Sequence, residues 1–332
     1  MSKIQRGGGL VMTVLTAVLA LLVGLASPAS AALGEGSQWY QETENEVNLQ
    51  SGDTISEARS PDTLIQVWRG NDNNRVWISR NGGAPVVFPG TQTQAAPRVV
   101  WTANGFYVFH TGVDGRIYYT QPRFTQSGIL SQSQPANWWS PEGNVVTRPN
   151  LSPSVTPVRN GEMLLSWGSA TDNNQYTASF DGANWAAPRQ VPGVLSDTAN
   201  SIAYSSYWDQ FALVHRGLDG RAYVMTRDRR SDVWGQPQRL DDNLQIFGTP
   251  SIAFTTETGD GVIAVLGNSG NGYHQAYLGQ WTERSWSGFQ HENTYAGMRN
   301  NPWLTATARS VFLIATFYQG LVQWKVGFDR RP

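Results

Sequence analysis

The sequence predicts an all-β fold built from a repeated unit of four short strands, and three observations predict it. Residues 200–240 hold three runs rich in β-branched and aromatic residues, SIAY, FALVHRG and RAYVMTR, with Trp234 opening a fourth after a polar break. Asp219-Gly220 separates the second and third runs and reads as a two-residue type I′ hairpin turn, whose central positions need φ > 0. The unit then recurs with a period near fifty residues, in a chain of 332 residues with 34 Gly and 17 Pro, a turn-rich composition rather than one of long helices.

The recurrence is read from the openings DTISE, PRVVW, PSVTP, NSIAY, PSIAF and PWLTA, whose third places are Ile55, Val99, Val155, Ile202, Ile252 and Leu304. All six are apolar, as an inward-facing strand position demands. Second strands read LIQVWRG, FYVFHTG, MLLSWG, FALVHRG, VIAVLG and FLIATF, and the first five are followed by residues that tolerate left-handed backbone: 72–74, Asp114-Gly115, 172–174, Asp219-Gly220 and Asn271-Gly272. Third strands read RVWIS, RIYYT, QYTAS, RAYVM, YHQAY and LVQWK; Trp139, Trp185, Trp234 and Trp286 mark fourth strands, and the first unit offers only PVVF. Residues 302–332 have room for three strands, and Trp39 stands where a fourth would begin. The expected architecture is a six-bladed β-propeller of four-stranded blades, closed by the N-terminal strand completing the last blade, with no exposed terminal edge. Residues 33–332 form this single domain, and residues 122–136 form a surface loop rich in Gln, Ser and Pro.

Residues 1–32 read as a secretory signal peptide: Lys3 and Arg6, an apolar run over residues 10–25, then small residues with Ala29 and Ala31 in A-x-A spacing. An exported, extracellular protein follows, with no membrane insertion after cleavage. It has no Cys, so burial and sheet closure, not disulfides, must hold it together. Without the leader the chain carries 22 basic and 25 acidic residues, a balance that does not suggest nucleic acid as a partner.

No cofactor motif is present, and His110, His215, His274 and His291 have no second ligand at metal spacing. His110 and His215 fall at equivalent repeat positions, which points to architecture. Glu57, Asp62, Glu162, Asp209 and Asp260 flank strands, but catalytic carboxylates of a propeller meet from different blades and no pair can be chosen, so no catalytic residue is assigned. Saccharides offer apolar C–H faces to Trp and Tyr and hydroxyl pairs to Arg forks, carboxylates and amides. Trp68-Arg69, Arg98 with Trp101, Trp208 with Asp209, and His215-Arg216 place such groups at strand ends.

VHRGLDGRAYV and WGQPQRL resemble the repeats of secreted microbial β-propeller lectins, the fucose-binding and tectonin-like group. The resemblance implies sugar sites between neighbouring blades, held by Arg, an acidic or amide residue and an aromatic platform. It carries over to Trp68, Arg69, His215 and Arg216, and to Asp219 in the DGR turn. Thr111, Leu266 and Phe317 stand where those arginines would recur, so fewer than six sites are expected. SFDGANW resembles the Asp box of sialidases, a fold-stabilising turn. The expected function is a lectin whose partners are cell-surface or cell-wall glycans, fucosylated ones among them. Two alternatives stand beside it: a targeting subunit with a secreted protein partner, as in a toxin assembly, and a sialidase-like glycoside hydrolase with its site in the central funnel.

Overall fold

The structure, a computed structural model, describes residues 37–43, 54–71, 73–125, 145–268, 274–282, 285–291, 298, 300–314 and 324–330. The leader, most of the 122–136 loop, Asp72, Trp139, Asn271-Gly272, Phe317 and the start of LVQWK lie outside them. The described residues form strands and turns with no helix. After β1 (Ser37–Thr43) come β2 (Ser56–Arg59), β3 (Leu64–Arg69), β4 (Val76–Arg80) and β5 (Val86–Val87), one antiparallel sheet. The second sheet is β6 (Arg98–Thr102), β7 (Gly105–Thr111) and β8 (Ile117–Thr120). The third is β9 (Ser154–Pro157), β10 (Met163–Gly168), β11 (Asn174–Phe180) and β12 (Arg189–Leu195). The fourth is β13 (Ser201–Ser205), β14 (Gln210–Arg216), β15 (Ala222–Asp228) and β16 (Gln238–Arg239). The fifth is β17 (Ile246–Phe254), β18 (Gly261–Asn268), β19 (His274–Thr282), β20 (Ser285–Trp286) and β21 (Gln290–His291). The sixth is β22 (Trp303–Ala306), β23 (Ser310–Ile314) and β24 (Trp324–Arg330), and β1 joins it antiparallel to β24, Trp39 opposite Phe328.

These small sheets are the blades of a propeller arrangement. Their first strands touch in succession, β2 with β6, then β9, β13, β17 and β22, and β22 touches β2. A serine repeats along that line: the hydroxyls of Ser56, Ser154, Ser201 and Ser251 accept from the next sheet's Val99, Ile202, Ile252 and Leu304 N–H groups, at 2.9–3.2 Å. Arg98 and Trp303 take the serine's place in the second and sixth sheets, and the Arg98 guanidinium lies 4.0 Å over the Trp303 ring. Apolar clusters fill the junctions, as where Ile202, Phe211, Leu213 and Trp234 of the fourth sheet meet Leu164 and Val191 of the third.

The serine ladder corrects the first repeat opening. Ser56 pairs with Val67 as Ser201 pairs with Val214, so Glu57, not Ile55, occupies the third place. Its cross-strand partner is Gln66, whose Nε2 donates to Glu57 Oε2 at 3.2 Å, a buried polar pair where Ile202 faces Leu213 in the fourth sheet. Sequence pattern alone slips here because Ile55 is also apolar and buried. In the third repeat the strand-end position belongs to Ser169, and Gly168 falls at the arginine place of the column: Ser169 N–H bonds the Asn174 carbonyl as Gly217 N–H bonds that of Arg221.

The turns after the second strands are also corrected. Gly220 has φ 77° and Gly115 φ 77°, while Asp219 and Asp114 are not left-handed, so each loop has three residues with glycine at its end rather than a two-residue type I′ turn. The aspartate holds the loop. Asp219 Oδ1 accepts from Arg221 N–H at 3.1 Å and Oδ2 from Tyr223 Oη–H at 2.7 Å, and Asp114 does the same with Arg116 and Tyr118. Gly217 is required because a Cβ there would lie 2.7 Å from the Tyr223 ring. The marker tryptophans do not open fourth strands in two sheets: Trp185 precedes β12 and Trp234 precedes β16. Both instead reach back to the preceding sheet, Trp185 against Phe109 and Tyr119, Trp234 into the junction with Leu164.

Candidate functional site

β14 carries candidate residues at both ends. Asp209 precedes Gln210 and Arg216 closes the strand, so they stand roughly 20 Å apart along seven residues of extended chain. The expected residues therefore divide between two faces. Trp68, Arg69, Arg98, His215, Arg216 and Asp219 lie toward the turn between second and third strands, and Trp101, Trp208 and Asp209 toward the turn between first and second.

On the first of these faces most groups serve the fold. Trp68 and His215, expected to face ligand, are 2% and 3% exposed. Trp68 packs with Ile55 and Ile314, and His215 stacks on Tyr223 with ring centroids 5.5 Å apart, as His110 stacks on Tyr118. Burial lowers the His215 pKa to about 4 against the opposing pull of Asp219, and that of His110 to about 3, so both imidazoles are neutral near pH 7. Burial raises the Asp219 pKa, but the Tyr223 hydroxyl, the Arg221 N–H and Arg239 outweigh it and hold the carboxylate ionised. Arg69 donates to Asn74 Oδ1 at 2.7 Å, and Arg98 is buried against Trp303. Arg216 donates from Nη1 to Asp197 Oδ1 at 2.7 Å and from Nε to the Ile246 carbonyl at 3.0 Å, tying the fourth sheet to chain on both sides.

The opposite face gathers a different set where the third and fourth sheets meet. The β13–β14 turn reverses at Asp209, which has φ 51°, a left-handed conformation uncommon for a residue with a side chain. Asp209 Oδ1 accepts from the Tyr204 hydroxyl and from Arg229 Nε at 3.1 Å, with Arg159 Nη2 at 3.9 Å. Arg229 Nη1 reaches across to Glu162 Oε2 at 3.0 Å. The Tyr204 hydrogen bond, then Arg229 and Arg159, lower the Asp209 pKa in spite of its burial. Burial and the Asp209 carboxylate raise the Tyr204 pKa to about 12, so this hydroxyl is a donor, not a base, near neutrality.

In the same turn, Tyr207 is 58% exposed and meets Trp208 edge to face at 4.7 Å; both lie against Gly259 in the loop of the fifth sheet, whose carbonyl accepts from Trp208 Nε1 at 3.2 Å. Trp101, 39% exposed, offers an aromatic surface on the second sheet. One turn therefore carries an exposed aromatic ring toward the fifth sheet and, through Asp209, a compensated set of two guanidiniums and two carboxylates toward the third, chemistry suited to a hydroxyl-rich ligand with an apolar face. Trp208 and Asp209 were legible in the sequence. Glu162 was legible as a strand-flanking carboxylate but not as a partner of Asp209; Arg159 and Arg229 come from other strand ends and meet Asp209 only in space, Tyr204 lies in the same hairpin as Asp209, and Tyr207 was passed over beside the larger Trp208.

Glu57 and Asp260 are buried and Asp62 is an exposed turn residue, so among these carboxylates only Glu162 and Asp209 share a site. Among the described residues no group of three His, Cys, Asp or Glu could hold a metal ion. SFDGANW folds as a turn in which Asp181 Oδ1 accepts from Ala183 and Asn184 N–H, and Trp185 packs on Phe180, a structural role.

No protein-family model matches the sequence, and no curated protein is similar to it in sequence. In three dimensions it is similar to a protein of unknown function from Dyadobacter fermentans, with a TM-score of 0.60 and 11% identity over 90% of this chain and 100% of that one. It is also similar to the fucose-specific lectin of Aleuria aurantia, with a TM-score of 0.55 and 10% identity over 88% of this chain and 99% of that one. An ulvan lyase, from a new family of polysaccharide lyases, has a TM-score of 0.52 and 11% identity over 85% of this chain and 81% of that one. What the chain shares with these proteins is the β-propeller fold, with a fungal fucose-specific lectin among its structural neighbours.

Proposed function

We propose that this protein is an exported carbohydrate-binding propeller that recognises cell-surface or cell-wall glycans without altering them. The six sheets are read as six blades of one ring, closed where β1 completes the sheet of β22–β24, in keeping with the six-bladed fold described for the Aleuria aurantia lectin. Export is supported by the leader pattern of residues 1–32. The observation that carries the binding site is the cluster of Asp209, Arg229, Glu162 and Arg159, with the exposed Tyr207 two residues before Asp209 in the same turn. A sugar stacks its C–H face on Tyr207 while its hydroxyls exchange hydrogen bonds with the carboxylates and guanidiniums. Because the two acids and two arginines offset one another, the site favours neutral sugars, fucose-type residues among them, over sulfated or uronic ones.

Arg69, Arg98, Arg216 and Asp219 hold the opposite face in shape rather than contact sugar at this site, and Trp101 offers a separate stacking surface. A glycan array on the mature protein is expected to give binding to neutral glycans. Tyr207→Ala is expected to weaken it about tenfold, the equivalent of ~1.4 kcal/mol, with an unchanged melting temperature. A folded protein that binds nothing on a broad array overturns the reading.

The fold shared with the ulvan lyase favours a second reading, cleavage of an acidic polysaccharide. The protonated state of Tyr204 speaks against this residue as its base. Absence of unsaturated uronate products from a panel of acidic polysaccharides removes that reading; their appearance, abolished by Asp209→Asn, replaces the first.

A further inference from the structure

Five of the blade junctions are bounded, on the face that each sheet turns toward its successor, by residues of the second and third strands at matched places in the repeat. In the first sheet these are Val67, Val76 and Ile78; in the second, Phe109, Ile117 and Tyr119. In the fourth they are Val214, Ala222 and Val224, and in the fifth Ala264, Ala276 and Leu278. The third sheet breaks the rule with Ser166, Gln175 and Thr177, none more than 4% exposed.

The facing edge of the fourth sheet departs in the same direction. Asn200 stands where the openings of the second, third, fifth and sixth repeats have proline, and its cross-strand neighbour, one step beyond the Ser201–Val214 pair, is His215. Asn200 is 3% exposed, and its Nδ2 donates to Gln175 Oε1 at 2.5 Å across the junction. Three polar atoms of this seam have no hydrogen-bond partner: Ser166 Oγ, Asn200 Oδ1 and His215 Nδ1.

An unmade bond at one such atom is costly, and three together in one junction are not a tolerable packing defect. Matched apolar residues were available, since the other repeats use them. We propose that the seam between the third and fourth sheets is an internal binding site for small neutral hydrogen-bonding molecules, occupied by ordered water. The chemistry of the three atoms fits a neutral molecule such as water. A hydroxyl, an amide oxygen and a neutral imidazole supply both donors and acceptors to a partner that must itself do both, and burial keeps the imidazole neutral against the pull of Asp219. Asn200 and Gln175 then act as the wall of the site, their mutual hydrogen bond bridging the sheets while leaving Asn200 Oδ1 turned to the solvent molecule.

The test is water-oxygen magnetic relaxation dispersion on the full chain, which detects waters held for longer than the protein tumbles, compared between the wild type and Ser166→Ala, Asn200→Ala and the double variant. The expected result is a slow-water amplitude in the wild type that falls in each single variant and falls further in the double, with a lowered melting temperature for Ser166→Ala because the water loses a partner. If the hydroxyl were dry, Ser166→Ala would raise the melting temperature and leave the dispersion amplitude unchanged, and that result overturns the proposal. If the double variant does not fold, Ser166→Ala alone decides, since a one-atom deletion from a small side chain leaves the packing in place.

Discussion

At the residue scale, two buried histidines contribute to the protein's response to acid. The folded-state pKa of His215 is lowered to about 4 by burial, below its ordinary value, so the unfolded chain takes up the proton first. Stability is then full above pH ~6.5, falls as pH drops through the interval down to about 4, and changes no further below it on this residue's account. The loss attributable to His215 is roughly 3 kcal/mol, and His110 adds to it in the same direction. His215→Val, using the residue that the fifth sheet has at this place, Val265, is expected to flatten the pH dependence of the melting temperature between pH 4 and 6.5. Asp209 works with the opposite charge. Its pKa is lowered first by the Tyr204 hydroxyl, so its contribution is present above the ordinary carboxylate pKa and fades only as pH falls below it. Tyr204→Phe removes that donor and is expected to raise the Asp209 pKa, measurable by carbon-detected NMR titration of the carboxyl.

At the element scale, the unit of construction is the second and third strands with the loop between them. Its sequence signature was legible because it is local: the glycine that ends the second strand, the aspartate two residues later and the aromatic four beyond that are bound to one another within one hairpin. Its turn type was not legible, since Asp-Gly serves both a two-residue loop and the end of a three-residue one, and only the backbone at Asp219 separates them. Gly217→Ala is expected to cost about 1–3 kcal/mol, because the new methyl must displace the Tyr223 ring. Urea denaturation measures it, and Gly217→Ala combined with Tyr223→Ala, which removes the obstructing ring, should show a smaller increment from the glycine change. The offset of Glu57 shows the limit of apolar pattern as a guide to register: Ile55 matched the column by hydrophobicity, while the serine hydrogen bonds that define the column run between sheets and leave no mark in a single strand.

At the scale of the whole molecule, the all-β propeller arrangement of small antiparallel sheets was legible from the spacing of the repeat. The site did not follow, because a propeller assembles its surfaces from the ends of strands that are distant in sequence. Arg159, Asp209 and Arg229 span seventy residues and belong to two sheets, and nothing in their local sequence marks them as partners. Arg98 and Trp303 extend the same lesson to the ring. They come from the sheets on either side of the first, and their stacked contact joins the two positions at which the serine of the ladder is replaced. Arg98→Ala is expected to lower the melting temperature by several degrees, and truncation of residues 1–43 to drive self-association through the bared edge of β24, seen as higher-mass species by size-exclusion chromatography.

The pairing of Ser37 with Arg330 puts the first and last described strands within one hydrogen-bonding distance of each other. A short tether can therefore join them, and the polypeptide can be cut anew in the exposed turn at residues 81–85 without severing any first strand. Such a circular permutant, or a cargo protein inserted at that turn, should fold into the same sheets, because the β1–β24 pairing is kept when its two strands are joined by a tether.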